Sequence, residues 1–438
     1  MKYLFVACLL CLSVLSAVAK VPAMNKIRLT NNWEYLKGDL GGIWEAVRPA
    51  APGSSEAVPI WQPVTLPHCF NAEDAVDPDV NYYEGPGWYK TLLAIDNPYR
   101  NGRIVLDFDG AGQKTDVYVY TTHVGSHVGG YDSWNVDITD AVKAFLGSKD
   151  AERFKGKVPL SIRCDNSRDL EMIPSDLADF NIYGGLYRYL NLVYLPEVSF
   201  EQIHLESSLS SNLKEGILKV KTSFYNPEDI RKADVTVSVY DVDRKPVFSK
   251  TLEGILPLGD QLLAKMKIKN PVLWDVDVPQ LYTCELTVKT PDQTFTTEER
   301  FGFRHTEFKD KGPFFLNGKR LLLRGTHRHE DHAGVAQAMT EDMMRREMRM
   351  MKDMGVNFIR LGHYQQSEII LDLCDELGIL VWEEIPWCRG GLGGDVYKKQ
   401  ARRMLANMIV QHHNHPAVII WGLGNENDSA ACPSSRST

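Results

Sequence analysis

The sequence predicts a multidomain protein that combines β-sandwiches with an α/β region. Residues 25–304 contain many short segments in which apolar and polar residues alternate, and beyond Phe314 strand-like segments alternate with helical ones. The chain of 438 residues is also too long for a single domain of about 100 to 200 residues. We therefore expect two β-rich parts followed by an α/β part.

The first part spans residues 25–197 and is predicted to form a β-sandwich. Its strand-like segments are residues 87–95, 103–109, 115–120, 158–163 and 189–194. Strands at this density, without helical periodicity, are typical of sandwiches. The second part, residues 198–304, alternates in the same way over residues 216–224, 233–240 and 281–288. Its length of about a hundred residues suits an immunoglobulin-like sandwich.

The third part, residues 305–438, alternates between strands and helices. Strands are predicted at residues 320–324, 357–360, 379–382 and 418–421, and helices at residues 340–354, 367–377 and 397–412. Such repeats form parallel sheets, and four in succession favour a (β/α)₈ TIM barrel. A complete barrel takes about 250 residues, so we expect only its amino-terminal half here.

Composition and the amino terminus limit the possible partners and compartment. A formal net charge of −8 gives no basic surface for nucleic acid or an anionic membrane. Lys2, an apolar run and small residues up to Ala19 predict a signal peptide over residues 1–19, and hence a secreted or periplasmic protein. No other stretch approaches the length of a membrane span. The remaining cysteines form no Cys-x-x-Cys pair, which argues against a zinc site or a dense disulfide framework.

The strongest chemical signal is an apolar strand that ends in Asn425-Glu426, within the run NHPAVIIWGLGNE at residues 414–426. In a barrel this position faces the carboxyl-terminal mouth, where catalytic groups gather. A carboxyl group there can protonate a glycosidic oxygen and later deprotonate water, and the neighbouring amide can donate to a sugar hydroxyl. A solvated loop glutamate is the structural alternative.

These residues resemble glycoside hydrolase family 2, which contains β-galactosidases, β-glucuronidases and β-mannosidases. The resemblance includes residues 414–426, residues 315–332 (FLNGKRLLLRGTHRHEDH) and residues 357–364 (NFIRLGHY). Upstream, Gly129-Gly-Tyr131 and Asp137-Ile-Thr139 look like the family's jelly-roll, galactose-binding-like domain. The family implies retaining hydrolysis of a β-linked glycan or oligosaccharide, without a cofactor, and with Glu426 as the general acid/base. The sequence gives no indication of the oligomeric state.

The resemblance also implies a nucleophilic carboxylate on a later barrel strand. Retaining enzymes hold their two carboxyl groups about 5 to 5.5 Å apart, and only 12 residues follow Glu426. We therefore expect a chain cut short within the barrel and inactive as written. Hydrolysis of an aryl β-glycoside by the purified chain would refute this expectation.

Other residues at predicted strand ends are candidates for contact with the sugar. By resemblance, His329 and His363 contact hydroxyl groups, and the alternative for each is a loop histidine bonded to the backbone. Arg360 is expected to orient the active-site acids, although it could pair with a structural carboxylate instead. Glu384 could contact substrate or support other residues. Trp387 could stack on a pyranose or pack within the protein.

Some alternatives stay open from the sequence. His327-Arg-His329 also fits a metal-dependent amidohydrolase, but we expect no metal, because the segment after Glu384 lacks the Glu and His through which some β-galactosidases bind magnesium. Leu361-Gly362 and Gln365 depart from the usual family pattern and leave the detailed pocket undefined. A β-galactosidase is the first expectation and a β-glucuronidase the second. A carbohydrate-binding protein without catalysis is the alternative outside enzymes.

Overall fold

The computed structural model describes residues 26–49, 59–175, 177–390 and 393–427. The signal peptide expected over residues 1–19 lies outside the described residues, as does the tail that follows Asn427. Within those ranges, no helix combines the length and the apolar composition that crossing a bilayer requires.

The first part of the chain is a sandwich of a four-stranded and a six-stranded antiparallel sheet, with the strand orders β1-β12-β6-β9 and β3-β2-β5-β10-β7-β8, and a further short pair, β11-β4. The strands are β1 Lys26–Arg28, β2 Trp33–Lys37, β3 Gln62–Val64, β4 His68–Cys69, β5 Pro86–Leu93, β6 Arg103–Phe108, β7 Lys114–Val119, β8 Thr122–Val128, β9 Trp134–Asp137, β10 Val158–Asp165, β11 Gly185–Leu186 and β12 Leu190–Leu195. The helices are α1 Trp44–Val47 and α2 Thr139–Leu146, followed by a 3₁₀ helix at Lys149–Phe154.

The burial of these strands explains their residue types. Side chains of β7 alternate between half-buried and buried, because successive residues point to opposite faces of a sheet. By contrast, every side chain of β12 is buried. Val193 and Leu195 of β12 belong to the hydrophobic core of the second sandwich, together with Val105 of β6. The four-stranded sheet therefore packs on both of its faces.

The second part is a sandwich of seven strands in two antiparallel sheets, with the strand orders β13-β14-β17 and β16-β15-β18-β19. The strands are β13 Ser199–Leu209, β14 Glu215–Tyr225, β15 Ala233–Tyr240, β16 Pro246–Ile255, β17 Asp260–Lys269, β18 Tyr282–Lys289 and β19 Thr294–Phe301. Burial alternates along the whole of β14. Two sheets of three and four strands match the predicted immunoglobulin-like sandwich.

The third part contains a four-stranded parallel sheet in the order β23-β24-β25-β26, preceded by a small antiparallel sheet, β20-β21-β22. The strands are β20 Thr306–Phe308, β21 Phe314–Leu316, β22 Lys319–Leu321, β23 Gly325–Arg328, β24 Phe358–Leu361, β25 Leu380–Glu384 and β26 Val418–Gly422. The helices are α3 Glu341–Asp353, α4 Glu368–Leu377 and α5 Asp395–His412. The side chains of Thr340 and Ser367 accept hydrogen bonds from the first turns of α3 and α4 and cap them.

The expected position of the first barrel strand, residues 320–324, is wrong. Lys319–Leu321 pairs antiparallel with β21, whereas the parallel strand is Gly325–Arg328, in register with Phe358 to Leu361 of β24. The apolar run at residues 321–323 gave the misleading signal, and Leu322 in it is 69% exposed. The true strand carries no large apolar side chain, because His327 lies at the rim and Arg328 pairs with Glu347 of α3, so hydrophobicity did not reveal it.

Three separate clusters of buried apolar side chains lie in the two sandwiches and beneath the parallel sheet. This organisation confirms the predicted fold class, in which two β-sandwiches precede a part of a TIM barrel. Five cysteines within the described ranges are free and buried, as expected of core thiols: Cys69, Cys164, Cys284, Cys374 and Cys388.

Candidate active site

The predicted site residues come together at the carboxyl-terminal edge of the parallel sheet. His329 directly follows β23, His363 lies two residues beyond β24, Glu384 is the last residue of β25, and Asn425 follows β26. Parallel strands present their carboxyl ends at the same edge. Four separate segments of the chain therefore converge on one rim.

Arg360 is the centre of the hydrogen-bond network at this rim. Its Nη2 atom donates to Glu384 Oε1 at 2.9 Å, to Glu384 Oε2 at 3.0 Å and to Asn425 Oδ1 at 3.0 Å. The Glu384 side chain is completely buried, and a buried carboxylate requires a cation and hydrogen-bond donors to remain charged. Arg360 thus orients the Glu384 carboxylate and fixes the Asn425 amide with its oxygen toward the guanidinium.

The contacts of Glu384 favour a role in supporting other residues over direct contact with a substrate. Besides Arg360, His363 donates to it, with 2.7 Å between His363 Nδ1 and Glu384 Oε1. Because a carboxylate can only accept, Nδ1 of His363 carries the proton in this hydrogen bond. The competing contact, from Arg360 Nη2 to the same nitrogen, is longer at 3.4 Å. The opposite ring nitrogen of His363, Nε2, is left for other contacts.

Three histidine rings cluster beside this network. The ring centroids of His327 and His329 are 4.9 Å apart, those of His327 and His363 are 4.8 Å apart, and those of His329 and His363 are 5.4 Å apart. His327 shares a hydrogen bond of 3.2 Å with the Gly362 carbonyl. Within the described ranges the His329 ring has no hydrogen-bond partner. It is therefore not the backbone-bonded loop histidine that the sequence left open.

Burial and neighbouring imidazoles keep two of these rings uncharged. Burial lowers the pKa of His329 to about 4, and the adjacent His327 and His363 add to the effect. The pKa of His327 is lowered for the same two kinds of reason, burial first and His363 second. Both side chains are therefore neutral near pH 7 and can either donate to or accept from a hydroxyl group.

Glu426 is solvent-accessible on the same rim. Its side chain is 60% exposed and accepts a hydrogen bond of 3.0 Å from Arg389 Nε. Its φ of 48° lies in the left-handed region, which is uncommon outside glycine. Backbone hydrogen bonds join residues 425–426 to the neighbouring segment 387–389. They run from Asn425 N to Trp387 O at 2.8 Å and from Arg389 N to Asn425 O at 2.9 Å.

The first sandwich contributes a loop to the rim that the sequence did not reveal. Arg389 Nη2 lies 3.3 Å from Asp179 Oδ2, and the Cys388 thiol donates to Asp179 Oδ1 at 3.1 Å. Burial acts to raise the pKa of Asp179, but the Cys388 hydrogen bond and the Arg389 charge outweigh it and lower that pKa. The Phe180 ring lies 5.8 Å from His329. A loop of another domain has no local signature that marks it as part of a site.

Trp387 packs within the protein rather than standing free at the mouth. Its ring is half-buried against a cluster of apolar residues on α5, and the centroid of the Tyr397 ring is 6.2 Å away. The indole nitrogen donates to the Gly390 carbonyl at 3.0 Å. Of the two roles that the sequence left open for Trp387, this geometry favours packing.

Gly362, one of the departures from the usual family pattern, has a steric explanation. A Cβ atom at this position would lie 2.8 Å from His327 Cε1 and 3.0 Å from Glu384 Oε1. A side chain at this position would force the His327 ring or the buried Glu384 carboxylate to move.

Comparisons with known proteins agree with this architecture. Models of glycosyl hydrolases family 2 match residues 40–196 with its sugar binding domain, residues 198–304, and residues 307–435 with its TIM barrel domain.

Among solved structures, a β-glucuronidase of Parabacteroides merdae with glycerol in its active site is 96% identical. It covers 96% of this chain with a TM-score of 0.93, and the match takes in 53% of its own chain. A curated putative β-glucuronidase of Formosa agariphila is 39% identical over 92% of this chain and 46% of its own length.

A β-galactosidase of Thermoanaerobacterium thermosulfurigenes is 30% identical over 91% of this chain and 53% of its own length. The chain thus spans about half the length of the relatives that it matches.

Proposed function

Because the chain belongs to glycosyl hydrolase family 2, we propose that it contributes the acid/base half of a retaining exo-β-glucuronidase. The observation that carries this proposal is the rim at which Arg360 joins Glu384 and Asn425, with Glu426 accessible beside them. Membership of this family argues against the alternative that the chain is a metal-dependent amidohydrolase. Since the chain spans about half of its relatives, turnover is proposed for the whole protein.

Glu426 is proposed to transfer a proton in both steps, to the glycosidic oxygen in the first and from water in the second. In the first step its carboxyl group donates a proton to the departing alcohol, and a nucleophilic carboxylate displaces that alcohol from the anomeric carbon. In the second step the Glu426 carboxylate removes a proton from water as the water attacks the glycosyl-enzyme. The hydrogen bond from Arg389 holds the carboxylate in place for both transfers.

Asn425 and the histidines are proposed to orient the sugar. Arg360 occupies the Asn425 amide oxygen, and the amide nitrogen donates one hydrogen to Cys388 Sγ at 3.5 Å. Its second hydrogen can donate to a hydroxyl group. The Nε2 atom of His363 and the unbonded ring of His329 offer further polar contacts. Glu384 and Trp387 are proposed to hold these groups in position without touching the substrate.

A glucuronide is favoured over a galactoside as the substrate. The relatives named β-glucuronidases are 96% and 39% identical, whereas the β-galactosidase is 30% identical. The first expectation from the sequence, a β-galactosidase, therefore gives way to the second. Export through the predicted signal peptide and inactivity of the 438-residue chain remain predictions.

Parallel assays of p-nitrophenyl β-D-glucuronide and p-nitrophenyl β-D-galactoside test the substrate. The 438-residue chain and any longer product of the same reading frame are both assayed. We expect the longer product to cleave the glucuronide and to leave the galactoside nearly untouched. Preference for the galactoside would contradict the proposal, and sugar binding without turnover by either product would favour the carbohydrate-binding alternative.

Replacing Glu426 with Gln in the longer product of the reading frame tests the acid/base role. A good leaving group needs little protonation, so Glu426→Gln should slow aryl glucuronides with poor leaving groups far more than those with good ones. Glu253→Gln is the matched control, because Glu253 is an exposed glutamate on β16 of the second sandwich. Equal losses for both kinds of leaving group would rule out proton donation by Glu426.

A further inference from the structure

His327, His329 and His363 place three imidazole rings on one side of the parallel sheet. His327 and His329 are two residues apart, and residues at that spacing on an extended strand point to the same face. His363 comes from the exit of the neighbouring strand. One ring nitrogen from each histidine lies within 4.8 Å of the others. His327 is exposed and His329 half-buried, so the cluster is accessible from the solvent.

The hydrogen bonds around the cluster fix which nitrogens carry lone pairs. The Gly362 carbonyl can only accept, so the Nε2 atom of His327, 3.2 Å away, carries the proton and Nδ1 is left with a lone pair. The bond between His363 Nδ1 and Glu384 leaves the lone pair on Nε2. Metal-ligating histidines almost always donate their second N–H to a carboxylate or a backbone carbonyl in this way.

We propose that His327, His329 and His363 bind a transition-metal ion of the Zn²⁺ type, with further coordination positions open to solvent. Three imidazole nitrogens are a donor set that suits zinc, whereas Mg²⁺ prefers oxygen ligands. Zn–N bonds of about 2.0 to 2.1 Å require the nitrogens to approach more closely than their present limit of 4.8 Å. Small rotations of the exposed His327 and the unbonded His329 supply that approach.

A neighbouring group of possible ligands is less suitable for zinc. Asp179, His363 and Cys388 also bring one ligand atom each within 4.8 Å of one another. However, the Cys388 thiol donates its hydrogen to Asp179, and a metal binds the thiolate rather than the thiol. Both groups of ligands need His363, so only one can be occupied. Imidazole nitrogens bind a metal as uncharged donors, whereas the Cys388 thiol must first lose its proton.

Metal at this cluster would exclude the sugar. This consequence, unlike the binding itself, rests on the proposed contacts of His329 and His363 with sugar hydroxyls. A bound ion would occupy the ring nitrogens that those contacts use. Zinc should therefore act as a competitive inhibitor at the mouth rather than as a cofactor.

The test is a calorimetric titration of the chelator-treated full chain with ZnCl₂. We expect one ion per chain, no heat with MgCl₂, and an affinity at least about tenfold lower for His327→Asn, since even the loss of a supporting contact costs that much. His332→Asn is the matched control, because His332 is an exposed histidine bonded to the Ala333 carbonyl outside the cluster. Unchanged zinc affinity in His327→Asn, or no binding by the wild type, would overturn the proposal.

Two further measurements separate the possible outcomes. If His327→Asn fails to fold, the visible spectrum of the Co²⁺-loaded wild type decides: intense ligand-field bands support an imidazole site, and weak bands of a hexahydrate type contradict it. Titrating the zinc-loaded chain with D-glucuronic acid tests the competition. Zinc binding that glucuronic acid does not weaken would leave the metal site standing and would count against the proposed sugar contacts.

Discussion

Arg188 and Glu330 form a fully buried ion pair between the first sandwich and the barrel mouth. Arg188 Nη2 lies 2.5 Å from Glu330 Oε2, and the two side chains are 1% and 0% exposed. Arg188 precedes β12, and Glu330 is the residue after His329. The guanidinium also donates to the carbonyls of Tyr131 at 2.7 Å and Gln365 at 2.8 Å. One pair of charges thus joins two domains immediately behind the rim.

Replacing Glu330 with Gln isolates the charge at nearly constant volume. Arg188 then remains buried without a counter-ion, and breaking a buried pair in this way costs about 3 to 5 kcal/mol of unfolding free energy. The two carbonyl bonds of Arg188 persist in the variant, so we expect a loss near the lower end, about 3 kcal/mol. The double variant Arg188→Met, Glu330→Met removes both charges and should lose less than Glu330→Gln alone.

Urea unfolding followed by tryptophan fluorescence measures the difference. Glu298→Gln is the control, because it breaks the Arg244–Glu298 pair, whose side chains are 57% and 39% exposed. Exposed pairs contribute about 0 to 1 kcal/mol. If Glu330→Gln loses no more stability than Glu298→Gln, burial does not govern the cost, and the reasoning is refuted.

Three further predictions follow from the geometry. Gly362→Ala should lower the thermal midpoint measured by scanning fluorimetry, because its Cβ would lie 2.8 Å from a histidine ring, whereas Gly42→Ala meets nothing within 4 Å and should leave it unchanged. Burial raises the pKa of Asp109 from 3.8 to about 7. The contribution of its protonated side chain to the stability of the fold is therefore complete below about pH 4 and is lost as the pH rises through about 7. Asp109→Asn should therefore be more stable than the wild type at about pH 8 and equal to it at about pH 4. Equal stability at both pH values, measured by urea unfolding, would contradict this. Trp387→Phe should lower stability while sugar affinity measured by calorimetry is retained; loss of affinity alone would restore the stacking role.

Local patterns predicted those elements whose burial alternates regularly. The strand expected at residues 233–240 is Ala233–Tyr240, and the helices expected from Thr340 and Ser367 begin one residue after these caps. Alternation and capping depend on neighbouring residues, so one sequence suffices to detect them. The first parallel strand was misplaced because its residues lack apolar side chains: His327 lies at the site, and the buried Arg328 pairs with Glu347. Such a strand departs from the pattern of a core strand.

The candidate site was only partly accessible to sequence reasoning for a different physical reason. Strand ends of a parallel sheet converge, so His329, His363 and Asn425 could be grouped before their distances were known. The Asp179 contact with Cys388 joins residues separated by 209 positions. No periodicity or motif encodes a loop that reaches the rim from another domain, and only the docking of the sandwich on the barrel brings it there.

The contacts between the first sandwich and the barrel therefore also determine the positions of residues in the site. The Glu330 carboxylate forms an ion pair with Arg188 of the sandwich. The backbone N–H of Glu330 donates a hydrogen bond of 2.9 Å to the Tyr364 hydroxyl. His329 precedes Glu330 and His363 precedes Tyr364 in the chain, so a shift of the ion pair is transmitted to both histidines. The Tyr131 ring of the sandwich stacks on Tyr364 with centroids 4.4 Å apart and resists that shift. The spacing of the histidine cluster therefore depends on contacts made by the first sandwich.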